Sequence, residues 1–167
     1  MSLITGAEIL GFLERACEVE AESAFENERC LGKPAAEGGA SYTEYTESAG
    51  AAVILSGLIT KAKQNRFLLQ QVWPCQIYNK DRREDALIDA FHATGEAMAR
   101  KQERLGPTET FVTMLEAQLV QADQSEFVSS LVGGSGLGDE VAGKIQAERK
   151  RRMREAHQIA REFISRL

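Results

Sequence analysis

Apolar residues recur at helical spacing in one segment of this chain after another, and no run of useful length alternates as a half-buried strand would. That pattern restricts the fold more than any other feature. Thr5-Gly-Ala-Glu8 has the spacing of a capping box, so the first helix is expected to start there. Stepping about 100° per residue gathers Ile9, Leu10, Phe12, Leu13, Ala16, Cys17, Ala24 and Leu31 into one apolar sector, opposite Glu8, Arg15, Glu18, Glu22 and Glu26. The helix should end near Cys30, with Gly32 and Pro34 beyond it.

Residues 32–47 are rich in Gly, Pro and small polar side chains and read as a long loop. A second helix is predicted from about Ser48 to Gln71; its first half is apolar on every side and should lie buried between neighbours. Trp73-Pro74 stops it, because proline pushes the preceding residue out of the helical region. A connector over 75–83 leads to a third helix, about Asp81 to Leu105, and Gly106-Pro107 separates this from a fourth that starts at Thr108. Asp123-Gln-Ser-Glu126 offers a cap for a short further helix through Val132, and the glycines of 133–138 form a hinge before a last helix, about Asp139 to Arg166. The expectation is an all-α fold: an irregular bundle of five or six helices with a long C-terminal helix after a glycine hinge. In domain terms, residues 1–132 are a helical core, 133–138 the hinge and 139–167 a basic helical arm.

With 43% hydrophobic and 27% charged residues, the chain is neither a disordered segment nor, with three cysteines, a disulfide scaffold. Cys17, Cys30 and Cys75 are odd in number and widely spaced, which fits a reducing, cytoplasmic setting and argues against a thiolate zinc site. No signal-peptide pattern opens the chain, and its most apolar window, Ser48 to Thr60, is well short of the roughly 20 residues that span a bilayer. No membrane role is expected. The net charge of −5 is unevenly spread: ten acids against three bases in residues 1–60, twelve against nine in 61–143, and three against eight in 144–167.

Gly138 to Lys144 matches the G-x-x-x-x-G-K spacing of a phosphate-binding loop, but Ile145 replaces the metal-binding hydroxyl, no strand precedes it, and Asp139 and Glu140 would sit where phosphate oxygens belong. It reads as a hinge followed by an acidic helix start, which the helix dipole favours. Asp89, His92 and Glu96 share a face of the third helix, but the helical wheel groups them with Arg100 and Glu103 opposite Phe91 and Met98, so they are expected in solvent and not as metal ligands. There is no Gly-x-Ser-x-Gly elbow and there are only two histidines, so no catalytic residue is assigned.

Glu20 differs from the other acids. It falls in the apolar sector of the first helix, in line with Ile9, Leu13, Ala16 and Ala24. A carboxylate aimed at a core must be paired, hydrogen-bonded or protonated. The expected partners are Lys61, Lys63 or Arg66, or a subunit interface; the alternative is a ligand or acid–base group in the bundle core. The stretch Ala16 to Phe25 is similar, over about ten residues, to the first helix of ferritin-like di-iron proteins, whose inner-face glutamate binds metal. That family also requires Glu-x-x-His on two other helices, and this sequence contains none, so the family is not assigned and no cofactor is expected.

The last helix directs the functional expectation. Val141, Ile145, Ala156, Ile159, Phe163 and Leu167 form a narrow apolar stripe, interrupted by Arg149 and Arg152. A helix packed along its whole length would not aim two arginines at the core. Either one end projects or its middle crosses an acidic surface. The leading expectation is a non-enzymatic helical interaction protein, an oligomeric subunit or adaptor of a larger assembly. It would dock on protein partners or other copies of itself through Arg149, Lys150, Arg151, Arg152 and Arg154 together with Ile159 and Phe163. The alternative is a bundle binding a metal or small ligand around Glu20. Nucleic-acid binding through the basic helix comes third, because that run lacks stacking aromatics and the chain is acidic overall.

Overall fold

The computed structural model describes residues 2–101, 107–132 and 137–167, with only the backbone described for 107, 122–132 and 137–139. The elements in chain order are β1 (Ser2–Thr5), α1 (Gly6–Arg29), a 3-10 turn (Ala35–Glu37), α2 (Tyr42–Lys63), α3 (Arg66–Gln70), β2 (Val72–Cys75), α4 (Lys80–Arg100), α5 (Pro107–Val132) and α6 (Leu137–Ser165). The protein is an all-α bundle of six helices with a small two-stranded sheet among the described residues. The glycine-rich stretch expected as a hinge falls at 133–136 outside them.

Thr5 caps α1 as its sequence implies, its hydroxyl accepting from the Glu8 amide at 3.1 Å. Gly6 follows because nothing larger fits: a Cβ there would lie 1.9 Å from the Leu68 carbonyl oxygen. The expected loop over 32–47 is shorter. Ser41 and Glu44 form a reciprocal capping box, so α2 begins at Tyr42 and not near Ser48. α2 ends at Lys63 instead of running to Gln71, since Asn65 caps the separate one-turn α3 through the Leu68 amide. The break expected at Asp123 is absent: nothing between Ala122 and Glu126 is a glycine or proline, and α5 continues to Val132.

The sheet is the element that sequence periodicity did not show. β1 and β2 are four residues each, too short to display an alternation, and pair antiparallel with Ile4 opposite Trp73 and Ser2 opposite Cys75. Their inward residues Ile4, Trp73 and Cys75 are buried. Arg83, itself buried, donates to Ser2 Oγ and to the Ile77 carbonyl, tying α4 to the sheet.

α4 is the central element, packing on α1, α2, α5 and α6. Against α2 the approach is close, and a Cβ on Gly50 would lie 2.9 Å from that of Ala99. Phe91 and Phe111 meet between α4 and α5. The second half of α6 completes the core: Ala156, Ile159, Ala160, Phe163 and Ile164 are buried, and Phe163 meets Trp73 edge-on. The guanidinium of Arg166 lies 5.1 Å over the Trp73 ring.

Candidate functional sites

α6 divides into two parts. Residues 140–147 and Arg149 are exposed, whereas from Ala156 onward the helix enters the core. The residues expected to bind a partner divide with it. Ile159 and Phe163 do not face a partner: both are buried inside the chain. Arg149, Arg151 and Arg154 are exposed, and Lys150 and Arg152 half-buried. Arg151 and Arg152 share Glu148, at 2.9 and 3.8 Å, while the pKa of Asp89 on α4 is lowered first by its hydrogen bond to His92 and then, more weakly, by the charges of His157 and Arg149. The arginines that interrupt the apolar stripe thus lie where α6 passes from its exposed half into the bundle. The burial expected of the stripe holds only beyond them.

Glu20 is fully buried, as its place in the apolar sector implies, but none of the expected cations reaches it. Lys61 donates to Thr108 Oγ1 and Lys63 pairs with Glu14. The group facing Glu20 is His92, whose Nδ1 lies 3.2 Å from Glu20 Oε1 and 3.9 Å from Glu96 Oε1. One oxygen from each carboxylate and a ring nitrogen of His92 lie within 4.8 Å of one another. The expectation that His92 and Glu96 stand in solvent is corrected accordingly. Because α4 packs on four other helices, its buried arc is wider than the Phe91–Met98 line alone predicts, and His92 and Glu96 lie half-buried at the edge of that arc against α1.

Neither Glu20 oxygen nor His92 Nδ1 has a hydrogen-bond partner among the described residues; the short Nδ1–Oε1 approach is not aligned for one. The other ring nitrogen, Nε2, does bond, to Asp89 Oδ1 at 3.1 Å. Asp89 first, then Glu20, holds the His92 pKa up at about 10 against the opposing effect of burial. Burial, reinforced by the Glu20 carboxyl, raises Glu96 to about 7. The three groups bring two carboxyls and one oriented imidazole together, and no hydrogen bond among the described residues reaches either Glu20 oxygen. Such a site is suited to holding a positive charge.

Sequence reasoning singled out each of these residues but did not bring them together, because the contact joins α1 to α4 across a long separation along the chain. Burial pushes the Cys17 and Cys75 thiols above the usual range, away from the reactive thiolate. Among the described residues no helix is long and apolar enough to cross a membrane. No protein-family model, curated protein or solved structure matches the chain.

Proposed function

We propose that the protein is a cation-binding helical bundle whose site is the Glu20–His92–Glu96 cluster between α1 and α4. One observation carries this reading: the Glu20 carboxyl is fully buried, faces His92 and Glu96, and has no hydrogen-bond partner on either oxygen among the described residues. Leaving such a group bare is costly in free energy, and a bound cation satisfies both oxygens. Half-buried His92 and Glu96 give the site an approach from solvent. The test is thermal unfolding of chelator-treated protein titrated with divalent metal ions and, separately, with organic ammonium ligands. A cation that binds only the folded state raises the melting temperature with the logarithm of its concentration above Kd, by about 2.7 kcal/mol of stability at a hundredfold excess. The rise should vanish in Glu20→Gln. No rise with any cation rejects the reading.

A second reading, a protein-docking subunit or adaptor, is favoured by a separate observation. Val141 and Ile145 are 60% and 57% exposed and share the strip of α6 that carries Lys144, Arg149 and Arg152. An apolar strip bordered by cations matches an acidic partner or another copy of this chain. Three unpaired thiols support a reducing, cytoplasmic setting for either reading. Mass in solution at low and high salt, compared between the parent and a Lys144→Glu/Arg149→Glu/Arg152→Glu variant, tests the docking. Salt-sensitive association lost in the variant supports it; binding of polyanions instead, with a steep salt slope, supports a nucleic-acid role.

A further inference from the structure

We propose that the cation is a single divalent transition-metal ion, coordinated by a carboxylate oxygen of Glu20, Nδ1 of His92 and a carboxylate oxygen of Glu96, with Asp89 orienting the imidazole from behind. This rests on the cation-binding reading above and narrows it to a ligand class.

The donor set argues for the class. An imidazole nitrogen suits zinc, iron, cobalt and nickel, while carboxylate oxygens also accept manganese. Calcium is disfavoured, since it takes six to eight oxygen ligands and this cluster offers two carboxylates beside a nitrogen. Copper(I) is disfavoured because the three groups include no thiolate or thioether.

The geometry argues for a metal over a proton. A proton on Nδ1 can satisfy an acceptor only along the N–H direction, and at 3.2 Å neither Glu20 oxygen lies on that line. A metal ion needs only that the donors surround it. With metal–ligand distances of about 2.0 to 2.2 Å, donors on opposite sides of an ion are at most about 4.4 Å apart. The three donor atoms, all within 4.8 Å of one another, reach that span with a small turn of a glutamate side chain, and Glu96, half-buried, is free to make it.

Asp89 supplies the independent feature that distinguishes a built site from a chance cluster. Its Oδ1 lies 3.1 Å from His92 Nε2, so Nε2 carries the hydrogen and donates it outward. When a metal ion displaces the second ring proton, the lone pair of the neutral ring lies on Nδ1, which faces Glu20 and Glu96. Carboxylate, imidazole and metal in line is the arrangement by which proteins fix the tautomer and ring orientation of a metal-binding histidine. Glu20 forms the closed floor of the site and Glu96 its solvent side. Three protein ligands leave a position for water on that side, as in metal sites that keep an open coordination position.

The experiment titrates the full chain, stripped with chelator, with Co2+ followed by visible absorption, and with Zn2+, Mn2+ and Mg2+ by calorimetry. One Co2+ per chain should give the absorption bands of a low-coordinate site, and Zn2+ should displace it. Mg2+ should bind far more weakly. Glu20→Gln and His92→Gln should abolish the bands, and Asp89→Asn should weaken binding by about 10- to 100-fold without changing the stoichiometry. If Glu20→Gln does not fold, paramagnetic broadening of the His92 ring resonances by Co2+ in the parent chain decides instead: broadening confined to residues around His92 supports the site, and its absence overturns it. Bands that persist in His92→Gln place the metal elsewhere and overturn the proposal. Stabilisation by an organic ammonium ligand but by no divalent ion overturns the metal and leaves the cation-binding reading intact. Stabilisation by neither overturns both.

Discussion

His92 on α4 approaches Glu20 on α1 to 3.2 Å, joining the one buried acid of the first helix to a histidine that hydrogen-bonds Asp89 with its other nitrogen. Two helices separated in sequence by α2, α3 and β2 are thereby linked through a buried carboxyl and a half-buried imidazole. On the cation-binding reading proposed above, such a site exchanges stability for ligand binding.

That exchange is measurable. Glu20→Met alone would strand the His92 charge, but Glu20→Met/His92→Met removes both partners, and in chelator-containing buffer it should stabilise the protein by about 1 kcal/mol or more while removing cation binding. Glu20→Ala, which adds a cavity, should not. Thermal unfolding of the three proteins checks this, and a clear loss of stability in the double variant would show that the Glu20–His92 pair stabilises the fold.

In the metal-free protein, His92 should hold its proton to a pH of about 10, against an ordinary value of 6.5. Its folded pKa is raised, so the associated stability is present in full below pH 6.5 and is lost as pH rises through about 10. Asp89→Asn removes the largest cause and should bring the titration down, observable in the ring resonances by NMR.

His157 behaves in the opposite sense. Burial lowers its pKa, and Nδ1 is paired with the Met153 carbonyl at 2.8 Å. Stability from the neutral ring is present above pH 6.5 and declines as pH falls through the lower folded value. His157→Gln should flatten that acid-side decline in urea unfolding curves; an unchanged decline would assign it to other groups.

The second half of α6 is part of the core, and two changes should show it. Phe163→Ala should cost about 3 to 5 kcal/mol, the range for a fully buried aromatic. Ending the chain at Gly138 should leave an unfolded or molten product, because it uncovers the faces of α4 and α5 that α6 packs against. Circular dichroism and hydrogen exchange report both. A truncated chain with a sharp unfolding transition would return the whole of α6 to the role of a detachable arm.

Much of the architecture was legible in local signals. The cap at Thr5 and the amphipathic faces of α1 and α4 depend on residues within a turn or two of one another, and helical propensity acts at that range. Glu20 was also legible as a buried acid, since its place on the apolar face of α1 needs only the helical period. What the sequence could not decide is what faces what. The capping box at Ser41 lay within a glycine-rich stretch, and the paired strands were too short to alternate visibly. The wheel of α4 could not show that four other helices pack on it and widen its buried arc to reach His92. The same limit applies to α6. One continuous period spans its exposed and buried halves, and only packing on α4 and α5 determines where the change occurs, because burial is a property of the neighbours and not of the helix itself.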